Sequence, residues 1–138
     1  SYNGIDFYDD YAHHPTEIKV VLEGVDKVYQ GFEKVCIFQP HRISRLKDLK
    51  KEFSFAFKNA DTIILCPIFT AGEKIKLGFS YHNFAKEIIK NSQVRLFLVN
   101  DKNQLAKYLK KNMYGKKIVI GMGAGSISNW MRQLPKLM

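Results

Sequence analysis

Two hydrophobic periodicities alternate along the chain. Ile5, Phe7 and Tyr8 open a short strand pattern, and from Pro15 onward Ile18, Val21, Leu22, Val25, Val28 and Tyr29 recur at three- and four-residue steps, the signature of one helical face. Pro15 suits a first helical position, and Glu17 in the first turn complements the helix dipole. Val35-Cys36-Ile37-Phe38 reads as a buried strand; after Pro40 a single second helix is predicted, with Leu46, Leu49, Phe53 and Phe57 on one stripe. Thr62 to Cys66 is the next strand, closed by Pro67. A loop around Ala71-Gly72-Glu73 leads to a helix carrying Phe84, Ile88 and Ile89. Val94 to Val99 is a further strand, and Leu105, Tyr108 and Leu109 mark a further helix. Ile118-Val119-Ile120 is the last strand, ending in Gly121-Met122-Gly123-Ala124-Gly125-Ser126 before a short C-terminal helix.

Continuous apolar strands separated by helices predict an α/β doubly wound domain, with a mostly parallel sheet covered by helices on both faces. In such a sheet ligands bind beyond the carboxyl ends of the strands, so candidate chemistry belongs in the strand-to-helix loops. Composition adjusts this picture only slightly. At 138 residues, 46% hydrophobic and 25% charged, the chain fits one globular domain and excludes disorder and collagen-like repeats. No apolar run is long enough to span a bilayer and no secretory signal opens the chain, so a cytoplasmic address is expected. Cys36 and Cys66 lie inside apolar runs with no metal-ligand spacing, as buried thiols would. The net charge of +9 favours anionic partners such as phosphorylated small molecules or nucleic acid. No nucleic-acid-binding motif accompanies that charge, and lysines spread over several helical faces also suit a plain solvated surface.

Three loops concentrate polar chemistry. Asp9-Asp10-Tyr11-Ala12-His13-His14-Pro15 sets two carboxylates and two imidazoles between a strand and a helix N-terminus. Aspartate accepts hydrogen bonds from ribose hydroxyls or holds Mg²⁺ through water, and histidine transfers protons near neutral pH. One Asp and one His capping the helix is the simpler use of part of the same loop. No third ligand at zinc spacing follows, so no metal site is expected. In Gln39-Pro40-His41-Arg42-Ile43-Ser44-Arg45 the two arginines share a helical face at the first turn, where they oppose the dipole unless an anion or acidic neighbour is close. Such a fork suits a carboxylate or phosphate; a solvent-facing pair is the alternative. Gly121-x-Gly123-x-Gly125-Ser126 is only loosely like a dinucleotide fingerprint, with too few residues after it for an acidic ribose partner. A tight turn directing N–H groups and the Ser126 hydroxyl toward the strand ends fits better. No GxxxxGK[ST] phosphate loop is present.

Taken together, Asp9-Asp10-Tyr11-Ala12-His13-His14-Pro15-Thr16-Glu17, Phe38 to Arg45, Ala71-Gly72-Glu73 and Gly123-Ala124-Gly125-Ser126-Ile127-Ser128 resemble the C-terminal domain of the Mur ligases, in order and spacing over essentially the whole chain. The Asp-Tyr-Ala-His core is shared across that family, and the Gln-Pro-His-Arg stretch resembles its alanine-adding branch. The related ligase that attaches a recycled tripeptide shares the first loop but not that stretch, and folylpolyglutamate-type ligases lack the His13-His14 pair. Ile43, and Phe69 before the Ala-Gly-Glu loop, stand where the family usually has tyrosine; both keep bulk and lose a hydroxyl.

The resemblance implies that residues 1–138 are a single C-terminal domain, a fragment whose UDP-sugar and ATPase domains belong to a longer enzyme. It implies an ATP- and Mg²⁺-dependent ligase joining L-alanine to UDP-N-acetylmuramate through an acyl phosphate in peptidoglycan synthesis, with this domain inactive by itself. The partners implied are those substrates and the protein's own other domains, with no nucleic acid and no membrane. Carried over residue by residue, Asp10 would meet the ATP ribose and His13 would sit at the reaction centre. Arg42 and Arg45 would bind the alanine carboxylate or developing negative charge. His41 and Tyr11 would adjoin the substrate, with Asp9, His14, Gly123, Gly125 and Ser126 in supporting roles.

Overall fold

The structure, a computed structural model, describes residues 5–41, 43–68, 80–112, 114–123 and 125–138, with only the backbone of Ile43 and Arg45. The chain runs β1 (Asp6–Asp10), α1 (Pro15–Val28), β2 (Glu33–Phe38), α2 (Ile43–Asp48), α3 (Lys50–Phe55), β3 (Thr62–Leu65), α4 (Tyr81–Ser92), β4 (Arg95–Leu98), α5 (Lys102–Asn112), β5 (Lys117–Met122) and α6 (Ile127–Leu137). Among the described residues the five strands form one parallel sheet in the order β1-β5-β2-β3-β4. The expected doubly wound architecture is therefore present.

Strand order dictates which face each helix covers. The connections β1 to β2, β2 to β3 and β3 to β4 all travel the same way across the sheet, whereas β4 to β5 runs back. Crossovers of one hand put same-direction connections on the same face, so α1 to α4 share one side and α5 the other. The core obeys this rule. Cys36, Phe38, Ile63, Leu65, Ile118 and Ile120 pack with Ile18, Leu22, Leu46, Phe53, Phe84 and Ile88 on one face. Val35, Ile37, Ile64, Cys66 and Val119 alternate with them and pack with Leu105, Leu109, Ile127, Met131 and Leu134 on the other. Burial on both sides is why β2, β3 and β5 read as unbroken apolar runs.

The second predicted helix is corrected. A break at Leu49, whose backbone leaves helical values at φ −115° and ψ 22°, divides it into α2 and α3, and Phe57 lies in the turn beyond α3. Leu46, Phe53 and Phe57 are nevertheless buried together, with Leu49 packed at their edge. Arg42 and the region of Phe69 and Ala71-Gly72-Glu73 lie outside the described residues, as does the Arg45 side chain.

A candidate site at the sheet's switch point

The strand ends are in register: Asp10 pairs with Met122, Met122 with Phe38, and Phe38 with Leu65. The loops leaving β1 and β2 turn to one face while the loop leaving β5 turns to the other. β5 lies between β1 and β2, so the connections change sides of the sheet at this place, and a crevice opens there in α/β folds. All three polar loops predicted from the sequence leave the sheet at this switch point.

In the β1–α1 loop, Asp10 Oδ1 accepts the Ala12 N–H at 2.8 Å, which makes a tight turn and fixes the carboxylate. His13 Nδ1 lies 2.7 Å from the Tyr11 carbonyl. A carbonyl only accepts, so Nδ1 carries the proton and Nε2 is the nitrogen left for exchange. Glu17 Oε1 is 3.7 Å from the same Nδ1 and accepts the His14 N–H at 3.1 Å. His14 itself caps α1, its Nδ1 accepting from the Thr16 N–H at 3.3 Å. The two imidazoles thus divide the work: His14 starts the helix and His13 stays available. Tyr11 is 71% exposed beside them. Asp9 accepts the Ser128 hydroxyl at 2.5 Å, tying the edge strand to α6.

His41, three residues beyond β2, meets His13 edge-on with ring centroids 6.2 Å apart. This contact joins the first two loops. The third is held by Gln39, whose importance the sequence does not announce. Its carboxamide, 3% exposed, donates through Nε2 to Ser126 Oγ at 2.9 Å and to the Pro67 carbonyl at 3.4 Å. Its Oε1 accepts the Ile127 N–H at 2.9 Å. Ser126 makes no side-chain cap of its own at α6, so Gln39 supplies that cap from the loop after β2. Gly123 has φ +147°, and a Cβ there would stand 2.7 Å from the Gln39 carbonyl oxygen, so the turn tolerates only glycine. Gly125 lies between this close approach and Ser126. Nearby, Tyr81 at the start of α4 donates its hydroxyl to the Cys66 carbonyl at 2.5 Å, and burial pushes its pKa well above the usual range, keeping it a donor.

Among the described residues no group of three or more His, Cys, Asp or Glu side chains is placed to hold a metal. A groove of about 780 Å³ between α1 and α3, lined by Lys19, Glu23, Lys51, Glu52 and Phe55, reaches only Pro15 of the three loops. The chemistry and this concavity lie apart.

A family model described as "Mur ligase, glutamate ligase domain" matches residues 1–125. The UDP-N-acetylmuramate–L-alanine ligase of Pelagibacter ubique is 72% identical over 131 residues, covering 95% of this chain and 28% of that protein. Its counterpart in Bartonella bacilliformis is 38% identical over 136 residues, with 99% and 28% covered. Among solved structures, UDP-N-acetylmuramate-alanine ligase MurC of Thermotoga maritima superimposes with TM-score 0.67 at 23% identity, covering 99% of this chain and 28% of that one. A murein peptide ligase of Psychrobacter arcticus gives TM-score 0.76 at 17% identity, with the same two coverages. At those identities the two structures share the fold. The chain spans 28% of the length of each of these four proteins.

Proposed function

The chain belongs to the Mur ligase family, as its C-terminal domain, and from that premise we propose that it closes the active site of an ATP-dependent ligase joining L-alanine to UDP-N-acetylmuramate. The observation that carries this reading is the His13–His41 ring contact at 6.2 Å, because it brings the family-wide loop and the Gln-Pro-His-Arg loop to one point of the sheet. In the reaction proposed, the muramyl carboxylate attacks the ATP γ-phosphorus and ADP departs, leaving an acyl phosphate. The alanine amine then attacks the acyl carbon; the C–O bond to phosphate breaks, the amide forms, and the nitrogen gives up a proton.

His13 Nε2 is suited to take that proton, with Nδ1 held by the Tyr11 carbonyl. Arg42 and Arg45 are assigned to the alanine carboxylate, where two guanidinium forks give affinity and orientation. Asp10, with Oδ1 engaged by Ala12, keeps Oδ2 for the ribose hydroxyls of ATP. His41 and Tyr11 form the adjoining wall. ATP and Mg²⁺ are assigned to a central ATPase domain of the longer protein, beside an N-terminal UDP-sugar domain. Substrates of this kind place the enzyme in the cytoplasm. Among the described residues no helix is long and apolar enough to cross a membrane.

The test is ADP release by the full-length protein with UDP-N-acetylmuramate, comparing L-alanine, the recycled tripeptide and no acceptor. Turnover that depends on L-alanine is expected. Dependence on the tripeptide would move the specificity to the recycling ligase, and no turnover with either would refute the reading.

A further inference from the structure

We propose that Gln39 is a positioning residue for the alanine-adding step: its buried carboxamide locks three strand-end loops together and so sets where His41 stands against His13. This rests on the function proposed above. The side chain bridges the entrance to the β3–α4 loop at Pro67, the β5–α6 turn at Ser126 and the first N–H of α6, while its own N–H donates to the Met122 carbonyl at 3.0 Å. All three side-chain contacts are to loops that leave the same row of strand ends.

Only Pro40 separates this clamp from His41. A proline fixes its own φ and holds the preceding residue in extended conformations, so the path of the chain from Gln39 to the His41 backbone is narrowed. Gly123 passes close enough to the Gln39 carbonyl that a Cβ there would stand 2.7 Å from its oxygen, which leaves the two segments little room to shift. An apolar side chain of the same length fills the space but leaves the Ile127 N–H and Ser126 hydroxyl without this partner. The turn then relaxes, and the ring pair moves with it.

The experiment uses the full-length protein with Gln39→Met, which keeps length and loses the amide, and Gln39→Glu, which keeps the acceptor for Ile127 but loses the donor to Ser126 and Pro67. For Gln39→Met, kcat/KM for L-alanine is expected to fall roughly 10- to 100-fold, as for a sub-ångström to ångström misplacement, while KM for ATP holds within about twofold. Gln39→Glu should recover only the part of that loss that depends on the Ile127 N–H. In crystals of the Met variant the His13–His41 separation should depart from 6.2 Å. Alanine kinetics that do not change while Tm falls, or an unmoved ring pair, would overturn the proposal. Should Gln39→Met fail to fold, Ser126→Ala removes one partner of the clamp, and a smaller loss in the same kinetic constant is expected. If the wild-type protein shows no alanine-dependent turnover, the proposed function fails, and the ring separation alone still decides whether Gln39 is a clamp.

Discussion

A carboxylate at a strand end acts through what already holds it. Asp10 has one oxygen committed to the Ala12 N–H at 2.8 Å, so the turn it closes and the ribose contact proposed for it are separable by substitution. Asp10→Asn keeps an acceptor for Ala12 and loses the charge; Asp10→Ala loses both. Under the proposed role, both raise KM for ATP in the full-length protein, the alanine variant more, and a defect confined to L-alanine contradicts the ribose assignment. Arg42 differs because the task proposed for it is charge neutralisation. Arg42→Ala should remove about 2–4 kcal/mol of transition-state stabilisation, read as kcat/KM for L-alanine. An unchanged value excludes Arg42 from the carboxylate pocket.

Between elements, polar contacts stitch what the apolar pattern only brings near. Ser92 at the end of α4 donates its hydroxyl to the Ser54 carbonyl at 2.6 Å and accepts the Phe57 N–H at 3.2 Å, both buried. Ser92→Ala leaves that buried N–H unsatisfied and should cost about 1–3 kcal/mol in urea denaturation, with the m-value unchanged. Such links explain what the sequence does and does not disclose. Strands and helices were legible because β2, β3 and β5 are buried on both faces and α1 carries an uninterrupted stripe from Ile18 to Val25. The break at Leu49 was not, since Leu46, Leu49, Phe53 and Phe57 keep helical spacing through it. Asp48 is the one weak signal there, unfavourable at the end of α2 and favourable ahead of α3. In the candidate site, which loops carry the polar side chains was legible from their own residues. The bonds from Gln39 to Ser126 and Ile127 were not, because 87 and 88 residues of chain separate the partners and a glutamine beside a proline reads as an ordinary turn.

For the molecule as a whole, the alternation of strand residues places one thiol in each half of the core: Cys36 under α1 to α4, Cys66 under α5 and α6. Burial pushes the Cys66 thiol from its usual 9.0 up to about 12, and burial with the neighbouring Cys66 pushes Cys36 up further. The folded chain therefore holds two protons that the unfolded chain releases above pH 9.0. By linkage, this stabilisation is complete below that pH and is lost as pH rises toward 12, at up to about 1.4 kcal/mol per pH unit for each thiol. Tyr29 and Tyr81, both raised, act in the same direction, so alkaline destabilisation alone does not isolate the cysteines. The comparison that does is the pH dependence of unfolding free energy for the wild-type chain and for Cys36→Ala with Cys66→Ala. The double variant should start less stable at pH 8, because each substitution removes a buried sulfur, yet lose less between pH 8 and 11. Parallel curves would mean that the thiols ionise in the folded state as easily as in the unfolded one, and that neither half of the core excludes water as tightly as its packing requires. Both thiols should also become reactive to a labelling reagent at the same urea concentration, since the two clusters share the strands β2, β3 and β5 and neither face can open while the other remains packed.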